Sequence, residues 1–456
     1  MIEVNKYIDQ EIARDAIICS DEDTVNYAEL DVPRNADIPC ASVVVSVDND
    51  KDVVAAEDIQ SGTVVALERA FVSFQDEINE YVACFYCHKM CFFFIPCEGC
   101  CKALFCSKEC REKCLDDYHR IECHIVARMY VESQDINQHL NKLAARVAIK
   151  LSLKLGWQEL TVASLEMGKN LLQQSSVATA FDSNNPVSIL CYDDQTPVPG
   201  DVMMNRSLVT AMTVHWLSRA PGYLPQDDEE REEAIDALSR IILHLNTTFM
   251  RQVAIVNSAI DYEKPEESRI TDEVLRNVGW FSFASKIAHS CEPNLLALGL
   301  NDHVALIAMK PIKKGDQLTI CYTEHYYDMN MMPCPRNSRV RQKLIFKLME
   351  YTCKCRVCLQ EWHNGSQVEA NLNSRQIAAY NQYRTAMEND SFKNKIEAIS
   401  AALDELSDCA NTKQQRSIYK DFRKTLVMSQ CARNLNKSYG CVQTLHPFHN
   451  YVNYLN

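Results

Sequence analysis

Between Cys84 and Cys123 the chain carries four closely spaced ligand pairs: Cys84-x2-Cys87, Cys97-x2-Cys100, Cys106-x3-Cys110 and His119-x3-Cys123. This island restricts folding more tightly than any other stretch. A spacer of two or three residues lets both members of a pair reach one ion, and a tetrahedral zinc then takes its remaining ligands from a later pair. Eight ligands suffice for two ions. The expected arrangement interleaves, with Cys84, Cys87, Cys106 and Cys110 on one zinc and Cys97, Cys100, His119 and Cys123 on the other. Cys91, Cys101 and Cys114 are left as spectators. A unit of about forty residues has no core of its own, so the metals supply its folding free energy.

A second cluster, Cys353-x-Cys355-x2-Cys358, is one ligand short of a tetrahedral site. Cys291, in the stretch Ile287-Ala288-His289-Ser290-Cys291-Glu292-Pro293-Asn294, is the candidate fourth ligand. Three zinc ions are therefore expected in all. The third would tie a loop to a segment about sixty residues further on and hold whatever lies beside it in a shaped pocket.

A chain of 456 residues is too long for one core and divides into several packed units. Its 47% apolar and 24% charged content is that of an ordinary globular protein. Only 11 glycines argue against a loop-rich all-β protein or a glycine-rich nucleotide cradle. No apolar run is long enough to span a bilayer. Met1 to Lys6 has neither the basic start nor the apolar core of a signal peptide. An intracellular protein with reduced thiols is expected, and in that setting 22 cysteines indicate metal sites rather than disulfides. The net charge of −14 disfavours direct nucleic-acid binding, which needs a basic excess, and suits protein partners with basic tails.

Strand character is read at 41–47, 53–56 and 63–67, with Ser61-Gly62 as a turn. After the island, helical periodicity covers 136–155, 207–218 and 232–260, the last behind an acidic start that suits a helix N-terminus. Residues 173–205, rich in Ser, Asn, Asp and Pro, read as a loop. Strands return at 294–300, 303–311 and 316–322, with turns at Asn301-Asp302 and Lys314-Gly315. A basic amphipathic helix is read at 336–350, and helices alone from 366 to the end.

The island, with its closing Tyr118-His119-Arg120-Ile121-Glu122-Cys123, resembles the MYND finger. Set between a strand pair and a helical segment, and followed by His289-Ser290-Cys291-x-Pro293-Asn294, it makes the chain similar to the SET-and-MYND (SMYD) protein lysine methyltransferases over roughly residues 43–360. Cys321-Tyr322-Thr323-Glu324-His325 looks most like the fourth SMYD subfamily, whose N-terminal repeat array this chain is expected to lack. The resemblance implies an α+β protein: a SET β-fold with a pseudoknot, split by the finger and a helical insert, then a post-SET zinc site and an all-helical C-terminal region. The implied divisions are 1–42 (N-terminal segment), 43–83 (first part of SET), 84–123 (finger), 124–260 (insert), 261–331 (SET core), 332–364 (post-SET) and 365–456 (helical region).

The resemblance also implies S-adenosylmethionine as cofactor and transfer of its methyl group to a lysine of a protein tail, histone tails included. Positioning is then the main catalytic task. The attacking amine must be neutral, which a dry aromatic channel promotes. By the same resemblance Tyr322 is the catalytic tyrosine that orients amine and methyl. Asn257 contacts the cofactor, His289 hydrogen-bonds the adenine through its backbone, and Tyr351 packs on the adenine. Cys291, Cys353, Cys355 and Cys358 form the post-SET zinc site. The finger would dock proline-containing peptides or corepressor-type proteins. The protein is expected to be a monomer in the nucleus, the cytoplasm or both, with no membrane contact.

Three positions depart from the family pattern. The loop asparagine that hydrogen-bonds the cofactor is Ala288. The glycine-containing turn of the first strand pair reads Asp48-Asn49-Asp50-Lys51-Asp52, placing Asp50 and Asp52 where backbone should approach the cofactor. A second tyrosine ahead of the post-SET cysteines is Met349. Two readings follow: a methyltransferase with a degraded cofactor site, or a catalytically inactive adaptor that recruits partners through its finger.

Overall fold

The computed structural model describes residues 34–60, 63–75, 83–88, 93–100, 102–125, 136–192, 200–258, 275–300, 302–321 and 352–359, with a few single positions besides. Strands β1 (Val45–Val47) and β2 (Val53–Ala55) form a hairpin, followed by β3 (Val64–Arg69) and β4 (Val72–Gln75). The cysteine island holds β5 (Ile95–Pro96), β6 (Leu104–Phe105) and helix α1 (Lys108–Cys114), which runs on through a π-helical turn, Leu115–His119. The helical part contains α2 (Ile136–Leu155), α3 (Trp157–Glu166), α4 (Gly200–Leu217) and α5 (Asp228–Gln252). Strands then resume as β7 (Val253–Ser258), β8 (Leu275–Trp280), β9 (Ala288–His289), β10 (Leu295–Leu300), β11 (His303–Ala308) and β12 (Thr319–Ile320).

The strands build small sheets from distant parts of the chain. β10, β11 and β3 form one antiparallel sheet, and β4, β8 and β7 another. β9 pairs with β12 in parallel, Ala288 opposite Thr319 and His289 opposite Ile320. The two three-stranded sheets thus join strands from before and after the finger and helices. One apolar core lies among the helices and the finger, the other among the strands.

Helix α2 sits at the centre of the first core, in contact with β4, the π-helical turn, α3, α4 and α5. Residues 141–149 are buried on every side, as expected of a helix enclosed by neighbours rather than lying on a surface. Its polar residues are therefore partnered. Asn141 Nδ2 donates to Thr213 Oγ1 at 2.5 Å, its Oδ1 accepts from Asn246 Nδ2 at 3.2 Å, and Lys142 Nζ lies 5.0 Å from the Phe74 ring centroid.

Two expectations need correction. The helix read to residue 260 stops at Gln252, and Val253–Ser258 is a strand. Its run of β-branched residues is satisfied by pairing with β8. The stretch read as a loop at 173–205 contains a helix, Val177–Phe181, and a 3₁₀ turn, Pro186–Cys191, while α4 begins at Gly200. Its polar residues are caps: Ser176 Oγ accepts from Thr179 N at 3.1 Å and Asn185 Oδ1 from Val187 N at 3.0 Å. Ala180, Phe181, Ile189 and Leu190 behind those caps are fully buried. The expected helices at 336–350 and 366–456, and the N-terminal segment up to residue 33, lie outside the described residues.

A chain of polar contacts crosses from the strands through the finger to the helices. Asp302 accepts from Arg69 Nε and His303 Nδ1, each at 2.7 Å. The Arg69 guanidinium lies 5.1 Å from the Tyr86 ring centroid, Tyr86 Oη donates to Asp117 Oδ2 at 3.0 Å, and Lys150 Nζ donates to the same oxygen at 2.7 Å. Burial alone would raise the Asp302 carboxyl, but His303 and Arg69 outweigh it and hold it at about 2. A carboxyl depressed on folding stabilises above its unfolded pKa, near 3.9, and loses that contribution as pH falls through its folded value. Wild-type protein should therefore lose on the order of 2 kcal/mol more stability than Asp302→Asn between about pH 4 and about pH 2, read by urea denaturation at each pH. Packing gives a second test. A Cβ on Gly279 would lie 2.7 Å and 2.9 Å from two atoms of the buried Phe281 ring and 3.1 Å from Ala70 Cβ. Gly279→Ala should cost about 1–3 kcal/mol in the same assay.

Candidate functional site

The loop Ile287–Asn294 is built from its base upward. Trp280, Phe281 and Phe283 are fully buried and anchor the chain that enters it. The carboxylate of Glu68, on β3, accepts from the backbone N–H of Phe283 at 2.8 Å and of Ala284 at 2.7 Å, capping the 3₁₀ turn Ala284–Lys286. Burial raises the Glu68 carboxyl to about 7 against these hydrogen bonds. Lys286 Nζ donates to the backbone carbonyls of Ser282 and, at 2.9 Å, Ser188. Burial lowers that amine to about 8.

Beyond the turn, Ala288 and His289 pair with β12, and Ser290 N donates to Ile320 O at 2.9 Å. Asn294 closes the loop. Its Oδ1 accepts from Thr319 N at 2.7 Å and its Nδ2 donates to Gln317 O at 2.8 Å. Thr319 Oγ1 in return accepts from Asn294 N at 3.2 Å. The loop backbone is thus held on the strand that leads into Cys321 and Tyr322.

His289 is half-buried, and its Nε2 lies 3.4 Å from Cys291 Sγ. Ala288, also half-buried, presents only a methyl group. The backbone of Asn257 lies in β7 opposite Arg276, and β7 runs beside the 3₁₀ turn that starts the loop. The side chain of Asn257, and Tyr322, Met349 and Tyr351 entire, lie outside the described residues. In the β1–β2 turn Asp48 Oδ1 accepts from Asp50 N at 3.0 Å and Asp52 N at 2.8 Å, so the turn is organised by its own first aspartate. Asp50 and Asp52 are exposed. The residue that takes the left-handed conformation favouring glycine is Lys51, at φ 65°.

The twelve expected metal ligands fall into three groups, each with all four ligand atoms within 4.8 Å of one another: Cys84, Cys87, Cys106 and Cys110; Cys97, Cys100, His119 and Cys123; Cys291, Cys353, Cys355 and Cys358. Soft sulfur donors in sets of four, with one imidazole in the second, suit tetrahedral zinc. In the third group Cys291 Sγ lies 3.9 Å from Cys353 Sγ and 3.6 Å from Cys358 Sγ. The Cys358 thiol falls to about 7, first through its hydrogen bond with Cys291, while the Cys291 and Cys353 thiols are pushed up by their sulfur neighbours and burial. In the second group Gly99 leaves room for metal geometry: a Cβ there would lie 2.7 Å from Cys123 Sγ.

Sequence reading missed Glu68, Lys286, Arg146 and Glu122 as parts of the sites. Glu68 interrupts an apolar strand, a signal that such a charge has a buried partner, but nothing in the sequence names Phe283 and Ala284. Glu122 was visible only as one letter of the finger's closing motif.

If Cys291 completes the third site, zinc-loaded protein should contain three equivalents per chain and Cys291→Ser two, by elemental mass spectrometry. An unchanged zinc content would remove Cys291 from the ligand set.

With this geometry in hand, comparison with known proteins is specific. Residues 51–323 match the SET domain family. The chain is 22% identical over 379 residues to human "Protein-lysine N-methyltransferase SMYD4", an alignment covering 68% of this chain and 45% of the relative. It is 23% identical over 338 residues to a SET and MYND domain-containing protein of Dictyostelium discoideum, covering 69% of this chain and 58% of that one. A shorter match, 33% over 81 residues, covers 18% of this chain and 17% of mouse "Histone-lysine N-methyltransferase SMYD3". The chain spans about half the length of the curated relatives it matches. A family match across more than half of the chain, together with relatives that carry both SET and MYND domains, shows that this protein belongs to the SET domain family, in its SET-and-MYND group.

Proposed function

We propose that the protein is an S-adenosylmethionine-dependent protein-lysine N-methyltransferase of the SMYD type, with a cofactor site weakened at Ala288. The observation that carries this reading is the loop Ile287–Asn294, clasped by Asn294 to Thr319 on β12. The names of the SMYD4 relatives support it and also favour the fourth subfamily. The parallel pairing of β9 with β12 suits a pseudoknotted SET fold.

Bound S-adenosylmethionine would supply an electrophilic methyl group on a sulfonium. The backbone of Ala288 and His289, fixed against β12, would present hydrogen-bonding groups to the adenine, with Asn257 and Tyr351 as further contacts. Tyr322 would orient the substrate amine. The residues present fit such a cofactor with one side-chain hydrogen bond fewer, since Ala288 has no amide. Asp50 and Asp52 are exposed rather than packed into the core. The substrate would be a lysine-bearing protein tail, with the acidic chain favouring a basic one. The finger would dock proline-containing peptides or corepressor-type proteins. The three cysteine groups would hold zinc. Among the described residues no helix is long and apolar enough to cross a membrane.

The adaptor reading draws on Ala288, on Asp50 and Asp52 in the turn where the family carries glycine, and on Met349. Calorimetry of zinc-loaded full-length protein with S-adenosylmethionine separates the two. The enzyme reading expects saturable binding, strengthened about fivefold in Ala288→Asn by one restored hydrogen bond worth about 1 kcal/mol. Absence of heat at millimolar cofactor in both proteins would leave the adaptor.

A further inference from the structure

Arg146, on helix α2, is 0% exposed and spends its guanidinium on two other parts of the molecule. Its Nε donates to Glu122 Oε1 at 2.6 Å and its Nη2 to Glu122 Oε2 at 3.3 Å. Its Nη1 donates to the backbone carbonyl of Ser73 on β4. Aromatic rings enclose it, with centroids 4.7 Å away for Phe85 and Tyr118 and 5.1 Å for Phe74. Glu122 is itself 1% exposed, and its Oε2 accepts from His119 Nδ1 at 3.1 Å. His119 Nε2 points the other way, 3.5 Å from Cys100 Sγ, into the second cysteine group.

A carboxylate gripped by a guanidinium fork only accepts hydrogen bonds. His119 must then carry its proton on Nδ1, which leaves the Nε2 lone pair free for a metal. A carboxylate behind a zinc-ligating histidine fixes both tautomer and ring orientation. In this protein the carboxylate is fixed in turn by a residue of the helical insert, whose remaining donor reaches the SET strand β4.

We propose that Arg146 is a positioning residue for the Cys97–Cys100–His119–Cys123 zinc site, acting through Glu122 and His119, so that zinc occupancy of the finger depends on helix α2 and strand β4. The finger is then a part of the catalytic body rather than a module hung from it. Loss of that one zinc would free His119 to move and so remove one of the two groups that fix the buried Glu122 carboxylate against Arg146. The inference rests on zinc in the finger and is independent of methyl transfer.

The test uses zinc-loaded full-length protein and a chromophoric chelator. In Glu122→Gln, the side chain keeps its size but turns an amide N–H₂ or a neutral oxygen toward Arg146. One zinc equivalent should become 10–100-fold easier to remove, while the other two are released as in wild type. Cobalt-substituted Glu122→Gln should show altered d–d bands for the Cys₃His site and unchanged bands for the Cys₄ sites. Arg146→Lys, which keeps the charge without the fork, should show the same selective change. Release of all equivalents as in wild type, or equal weakening of all three, would overturn the proposal. A measurement on wild type does not depend on how the variants fold. Withdrawal of the metal from the Cys₃His site, identified in cobalt-loaded protein by loss of that site's d–d bands, should speed amide hydrogen exchange in Leu143–Ile149 and Val72–Gln75, and unchanged protection there would equally overturn it.

Discussion

The loop Ile287–Asn294 is the constraint on which the arrangement depends, because the ties that anchor it to the rest of the molecule come from far along the chain. Glu68 reaches its base across 215 residues, Lys286 ties it to Ser188 across 98, and the third cysteine group joins it to Cys353 and Cys358 across 62 and 67. Asn294 and Thr319 bond across 25. Closing such spans costs entropy that grows only slowly with length, so a few strong, buried ties can fix a loop of this size. Two of them are capped or paired backbone groups, which would carry a desolvation penalty if left unmade. The ties act on backbone atoms and on the cysteine sulfur, so the shape of the loop does not require the side chain at 288.

A second set of ties makes the finger, the helices and the strands one body. Arg69 and Asp302 belong to the strands, Tyr86 and Asp117 to the finger, and Lys150 to α2; the contacts run through all of them. Arg146 repeats the pattern deeper in, between Glu122 and Ser73. Buried ion pairs give little net stability against apolar packing, since desolvation offsets the attraction. Their effect here is orientation, because a guanidinium fork admits few geometries. A zinc finger with no core of its own is thereby held in one pose against the sheet that carries the loop.

Much of this was legible in the sequence. Spacing alone grouped Cys84 with Cys106 and Cys97 with His119, because a pair at fixed separation can be matched to a metal's coordination number. Cys291 could be joined to Cys353 by counting a missing ligand. The strands at 294–300 and 303–311 and the acidic start of α5 were equally plain. What stayed hidden follows from burial by tertiary neighbours. Val253–Ser258 continued a helical pattern until β8 was there to pair with it. Ser176 and Asn185 read as loop residues because a cap and a loop share the same composition. The burial of Arg146 and Lys142 on α2 stayed hidden as well, since no local rule says that neighbours cover the polar positions of a helix.

Ala288 is where scaffold and chemistry separate. Its backbone keeps the pairing with Thr319 that the architecture needs, while its side chain gives up the amide that the family places on the cofactor. Substitution of a polar loop residue by alanine in a strand pair removes no backbone hydrogen bond, so it leaves folding nearly untouched. The β1–β2 turn behaves alike: Asp48 supplies from its own carboxylate the hydrogen bonds that hold the turn, and Lys51 absorbs the positive φ. Both departures thus leave the backbone pairing of the fold intact. A SET scaffold can therefore drift in cofactor affinity by small steps, each on the order of one hydrogen bond, while its zinc sites and clasped loop stay fixed.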